Sequence, residues 1–134
     1  QDLHHKLFRI GRNAFLMADP HEAWSAALLS PKGTVALGFS HSGNTADTVR
    51  YLQIARDAGA LTVAITGSPD SPLALAAHER LVSHARESRL RAGAMVSRIA
   101  QLALVDCLFL GVARERYDQT VDALQKTRDV THPR

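Results

Sequence analysis

Two stretches of the chain, residues 34–39 (Thr-Val-Ala-Leu-Gly-Phe) and 61–66 (Leu-Thr-Val-Ala-Ile-Thr), show no polar alternation. Unbroken apolar runs of this length predict strands covered on both faces. Between them, residues 45–58 place Val49, Leu52, Ile54 and Ala55 at helical spacing, and Gly59 closes the segment. The breaker-rich loop Gly-Ser-Pro-Asp-Ser-Pro at 67–72 leads into a short helical turn over 73–77 and a third run over 80–83. Strand, helix, strand, short helix, strand predicts right-handed βαβ units and a parallel sheet.

Upstream, residues 2–10 predict a helix with Leu3, Leu7 and Ile10 on one face and Gly11 as its stop. Residues 13–17 predict a short strand. Asp19-Pro20 is an N-cap followed by proline at the first helical position. That helix runs to about Leu29, with Trp24, Ala27 and Leu28 on one face. Downstream, residues 85–93 carry Arg86, Glu87, Arg89 and Arg91 and predict an exposed loop. The longest helix is expected from Ala94 to Val112. Met95, Ile99, Leu102, Val105, Phe109 and Val112 repeat at its helical spacing, and Leu104 and Leu108 widen the apolar face. Such a helix is central or packs against another subunit. A last amphipathic helix is expected over 117–128, with Tyr117, Val121 and Leu124 inward.

Composition narrows the class. The chain has 134 residues, 46% hydrophobic and only 5% aromatic, which suits one domain of helices packed on a sheet. The net charge of +3 comes without a Lys/Arg block dense enough for a nucleic-acid arm. The single cysteine, Cys107, excludes an internal disulfide framework and suits a reducing, cytoplasmic setting. It lies among leucines and reads as a packing residue. Residues 94–113 hold Arg98, Gln101 and Asp106, which argues against a membrane span. Asp106 in this setting must be paired or at an edge. The chain opens on Gln1-Asp2-Leu3 without an initiating Met, which reads as the interior of a longer protein.

The candidate chemistry sits in Ser40-His41-Ser42-Gly43-Asn44-Thr45, between the first strand and its helix. Unpaired N–H groups at a helix start and the helix dipole favour an anion there. Ser40, Ser42 and Thr45 add hydroxyls, and Gly43 permits close approach. A second hydroxyl-rich loop, Thr66 to Ser71, follows the next strand and adds Thr66 and Ser68. Ligands of parallel sheets bind beyond the carboxyl ends of the strands. An ordinary βα turn uses the same residue types. No lysine stands where a Walker loop needs one, and Gly-x-Gly-x-x-Gly is absent. Gly38-Phe39-Ser40-His41 misses the nucleophile elbow because Ser42 stands where glycine is required. The seven histidines, including the adjacent His4 and His5 and His78, read as solvated or capping residues, with no metal or cofactor implied. Arg86, Arg89, Arg91 and Arg98 form a solvated loop or reach an anionic ligand or subunit contact.

Ser40-His41-Ser42-Gly43-Asn44-Thr45 after a buried strand resembles the phosphate loop of the sugar isomerase (SIS) domain. The resemblance continues through Asp47-Thr48-Val49, residues 55–60 and 63–66, and Ser71-Pro72-Leu73-Ala74. Residues 91–102 and 1–11 are similar to the sensor half of RpiR-type bacterial transcriptional regulators. The resemblance implies a flavodoxin-like α/β/α fold with a parallel sheet. It implies phosphate contacts from Ser40, Ser42 and Thr45, with backbone help from His41 and Gly43. Thr66, Ser68, Glu87 and Arg91 are candidates for the next layer around such a ligand. The family's first strand, central between residues 13–17 and 34–39, and its glycine-serine loop are expected to be missing here, so that either the chain continues upstream or another chain completes the sheet. Its helix-turn-helix domain is likewise absent, so DNA binding is expected only through such a domain. The implied function is a phosphosugar sensor that oligomerises through the helix from Ala94 to Val112. The rival is an aldose–ketose isomerase, which needs a carboxylate base. Glu87 is the acid available for that role, and flanking arginines would lower its pKa. A purely structural dimerisation module is the third reading.

Overall fold

A computed structural model describes residues 1–85 and 95–132. In chain order the elements are α1 (Asp2–Arg9), α2 (Pro20–Leu28), β1 (Val35–Phe39), α3 (Ala46–Asp57), β2 (Leu61–Thr66), α4 (Pro72–Ala76), β3 (Glu79–Val82), α5 (Met95–Glu115) and α6 (Tyr117–Thr131). They form two units, Met17–Gln101 and Gln1–Leu16 with Leu102–Arg134.

The first unit holds the sheet. Its three strands are parallel in the order β1-β2-β3, with Val35 opposite Leu61 and Val63 opposite Glu79. This is the expected parallel α/β arrangement. The core gathers Ala27, Ala36, Leu52, Ala55, Ala60, Ala64, Leu73 and Ala76, with Val49, Tyr51 and Ile54 packed at its margin. Small residues dominate because α3 lies very close to the sheet. A Cβ on Gly38 would come within 2.9 Å of the Leu52 side chain. Burial raises the Tyr51 phenol above its ordinary pKa.

The helix starts have distinct local causes. Asp19 caps α2 by accepting from the N–H groups of His21 (2.9 Å) and Glu22 (3.0 Å), with Pro20 at the first helical position. Ser71 caps α4 through Ala74 N–H at 3.4 Å, again before a proline. Trp24 Nε1 donates to the Asp47 carbonyl at 3.1 Å, and the Arg50 guanidinium stacks 4.2 Å over the Trp24 ring. His78 links β2 to the start of β3. Thr62 N–H donates to His78 Nδ1 at 3.1 Å, and His78 N–H donates to Thr62 Oγ1 at 3.0 Å.

Several expectations are corrected. Residues 13–17 form no strand. A strand needs a ladder partner, and the only ladders among the described residues are β1 with β2 and β2 with β3. Phe15 is 83% exposed. Leu28 points outward while Ala27 is buried, because α2 contributes only a narrow face. Tyr117 is exposed at the first turn of α6, where the buried residue is Thr120. Thr120 hydroxyl donates to the Ala113 carbonyl at 3.1 Å. Cys107 is exposed rather than packed.

In the second unit, Leu3 and Ile10 are buried on the predicted face of α1. Asp106 is paired: Lys6 bridges Asp106 and Asp2, and both hydrogen bonds raise the Lys6 pKa. The helix α5 is 21 residues long and apolar enough to cross a membrane by length and composition. Val105 is buried, whereas Met95, Val96, Ile99, Leu102 and Leu110 are exposed. Of the two placements expected for this helix, a central one does not describe these residues.

Candidate functional site

The sheet delivers two loops to the carboxyl ends of β1 and β2, and hydrogen bonds join them. β1 continues one step past Phe39, since Ser40 N–H donates to the Ile65 carbonyl at 3.1 Å. The chain then turns. Gly43 N–H donates to both the carbonyl (3.2 Å) and the hydroxyl (3.1 Å) of Ser40. The buried Ser40 hydroxyl also lies 2.8 Å from Thr45 Oγ1. One proton of this hydroxyl pair makes the mutual bond, and the other remains to donate elsewhere.

That pairing leaves α3 without a side-chain cap. Thr45 occupies the N-cap position but makes no hydrogen bond to the helix N–H groups. The first N–H groups of a helix have no intrahelical partner. With α3 open, as α1 and α6 also are, the positive end of the α3 dipole faces the loop without a side-chain cap. Ser42 is exposed at the tip, its hydroxyl accepting from Asn44 N–H at 3.2 Å and keeping its proton free. The arrangement can hold an anion by hydroxyl and main-chain donors.

The second loop backs the first. Thr66 is fully buried. Its hydroxyl donates to the His41 carbonyl at 3.2 Å and accepts from Ser68 N–H at 3.1 Å. Gly67 N–H reaches the same His41 carbonyl at 2.9 Å, and Leu73 N–H reaches the Gly43 carbonyl at 3.0 Å. Gly43 has φ +70°, and a Cβ there would lie 1.9 Å from Ser71 Oγ and 3.0 Å from Thr66 Oγ1. Glycine is therefore required twice over, by its left-handed backbone and by contact with the second loop.

Ser40, His41, Ser42, Gly43 and Thr45 thus form one turn, with Thr66 and Ser68 directly behind it. Thr66 spends its hydroxyl on the protein. Gly43 N–H is consumed within the turn, whereas the N–H groups of His41 and Ser42, like those at the start of α3, have no partner among the described residues. Glu87 and Arg91, like Arg86 and Arg89, lie outside the described residues. Two serines escaped the sequence reading as site residues. Ser71 is legible as a cap before Pro72, but its contact with Gly43 is long-range. Ser83 follows β3, donates its N–H to the Thr66 carbonyl at 2.9 Å, and has a buried hydroxyl without a partner among the described residues. No group of three or more His, Cys, Asp or Glu suited to a metal occurs among the described residues. A cavity of about 360 Å³ lined by Phe8, Arg9, Arg12 and Lys126 belongs to the helical unit and includes none of these loop residues.

A parallel sheet whose first strand feeds an uncapped helix through a Ser-x-Ser-Gly-x-Thr turn defines a class of α/β domain with a hydroxyl-rich loop at the carboxyl end of that strand. The SIS domain family matches residues 1–111, and the chain belongs to it. An uncharacterized HTH-type transcriptional regulator of Caldanaerobacter subterraneus is 42% identical over 125 residues, covering 93% of this chain and 44% of that protein. Among solved structures, the Vibrio vulnificus NanR protein complexed with ManNAc-6P superposes with a TM-score of 0.86 at 32% identity, covering 96% of this chain and 48% of that one. The sugar isomerase domain of an RpiR transcription factor from Sphaerobacter thermophilus gives 0.79 at 25% identity, covering 95% and 69%. The chain spans less than half the length of the regulator and of NanR.

Proposed function

We propose that this SIS domain is the effector-binding part of a bacterial transcriptional regulator and that its effector is a phosphorylated sugar. The carrying observation is the open, uncapped start of α3 beside the exposed Ser42. Likeness to a NanR structure complexed with ManNAc-6P supports a phosphosugar as the ligand class. In this reading Ser42 donates its hydroxyl and N–H to the phosphate, His41 donates its N–H, and the Ser40–Thr45 hydroxyl pair supplies one more proton. The α3 dipole favours the negative charge. A regulator with a linked helix-turn-helix domain would convert ligand binding into a shift between subunit arrangements. Such a protein works in the cytoplasm.

Ser42→Ala removes one donor to a charged group. It is expected to weaken phosphosugar binding by about 1.5–3 kcal/mol while leaving the melting temperature near that of the wild type. Titration calorimetry measures this, and unchanged affinity would remove the Ser42 hydroxyl from the site. The rival isomerase reading predicts product formation. Incubation of the purified protein with aldose and ketose phosphates should return the substrates unchanged, and turnover would overturn the sensor reading.

We also assign the exposed apolar face of α5 to contact with a second copy of the chain. Met95, Ile99 and Leu102 lie on this helix at about half exposure or more, an arrangement that water disfavours. Light scattering of Ile99→Glu is expected to show smaller particles than the wild type. A wild-type protein that is already monomeric would refute the assignment.

A further inference from the structure

The second loop does more than fill space behind the first. A trans peptide is planar, so the carbonyl of one residue and the N–H of the next point in opposite directions. The His41 carbonyl points into the protein, where it accepts from Gly67 N–H at 2.9 Å and from the Thr66 hydroxyl at 3.2 Å. The Ser42 N–H on the same peptide must therefore point the other way, and no group among the described residues takes it. The aim of that donor is fixed by residues on a different strand, 25 positions away in the case of Thr66.

Thr66 is built for this task and for no direct contact. It is 0% exposed, so a ligand cannot reach it. Its own backbone is held by Ser83 N–H at 2.9 Å from β3. Its hydroxyl has one proton and spends it on His41, while its lone pair takes Ser68 N–H at 3.1 Å. Gly67 is matched to the same contact, since a Cβ there would lie 2.6 Å from Cε1 of the His41 ring and 3.1 Å from the His41 carbonyl.

We infer that Thr66 is a positioning residue of the anion site: through the His41 carbonyl it aims the Ser42 N–H at the bound phosphate. This rests on the phosphate-binding reading above and deepens it.

The test follows the Ser42 amide resonance of the purified protein during titration with inorganic phosphate. In the wild type, phosphate is expected to shift this resonance in a saturable way. Thr66→Val keeps the shape and removes the hydroxyl. It is expected to weaken the response by roughly tenfold, the loss of one well-aimed hydrogen bond to an anion. Thr66→Ser restores the hydroxyl and is expected to return the response to the wild-type range. A merely structural role would lower the melting temperature of Thr66→Val and leave phosphate affinity and the Ser42 shift intact, and that result overturns the inference. If Thr66→Val fails to fold, Thr66→Ala carries the same expectation, because it removes the same hydroxyl. A wild-type-like Ser42 response in Thr66→Ala would then overturn the inference. A wild type whose Ser42 amide ignores phosphate would refute the phosphate reading itself. Response in the wild type with equal response in Thr66→Val would refute only the positioning role.

Discussion

Gly43→Ala is expected to abolish phosphosugar binding and to destabilise the domain by about 3 kcal/mol, combining left-handed backbone strain with overpacking. The two costs have separate sources. At φ +70° an alanine Cβ crowds its own backbone. Independently, that Cβ would lie 1.9 Å from Ser71 Oγ and 2.3 Å from Ser71 Cβ. Ser71 cannot simply turn aside, because its hydroxyl caps α4 through Ala74 N–H. Relief must come from separating the loops, which would break the Leu73 N–H to Gly43 carbonyl bond. Binding is then lost because the turn that presents Ser42 no longer exists. Thermal unfolding should register a fall in Tm of roughly 10 °C for a domain of this size. A variant that melts with the wild type and still binds would show that the two loops are not in contact in solution.

The second large effect lies in the core. Leu52 is fully buried, and it fills the notch that Gly38 leaves in β1. Leu52→Ala opens a cavity between α3 and the sheet and should cost about 2–5 kcal/mol. Most of the neighbours are alanines, namely Ala36, Ala55, Ala64 and Ala76, which cannot reach across to fill the space. The cost should therefore fall in the upper half of that range. Against a total stability of about 5–15 kcal/mol, the variant should unfold at a markedly lower urea concentration. The proposed anion site lies in the loop before α3 and not at Leu52, so ligand affinity should fall only as far as the folded fraction falls. A variant as stable as the wild type would mean that α3 is not seated on the sheet at Leu52.

The contrast between the two residues explains what the sequence could tell. Leu52 was legible because it sits in a helical repeat with Val49 and Ala55, and the apolar runs of β1 and β2 leave few places for such a helix to go. Helix ends were legible where local chemistry sets them, as with Asp19-Pro20. The turn from Ser40 to Thr45 was legible as a motif, but its internal economy was not. That Thr45 pairs with Ser40 instead of capping α3, and that Gly43 N–H folds inward, depends on torsions that spacing does not encode. The links from Thr66 and Ser71 join residues far apart in sequence, so no local pattern announces them. The strand expected over 13–17 had the right composition, but strand formation requires a neighbour, and none pairs with it here. Cys107 and Tyr117 were misplaced for a related reason: apolar spacing on a helix locates a face without saying which face is covered.

Phosphate recognition at the start of α3 is tested most directly by thermal unfolding with matched ligand pairs. Each candidate sugar phosphate is compared with the same sugar lacking the phosphate, under identical conditions. Ligand binding to the folded state alone stabilises by about 2.7 kcal/mol at a hundredfold excess over Kd. The expected result is a rise in Tm with at least one phosphosugar, no rise with its unphosphorylated partner, and loss of the rise in Gly43→Ala. Equal stabilisation by the two members of every pair, or no stabilisation by any phosphosugar, would contradict it.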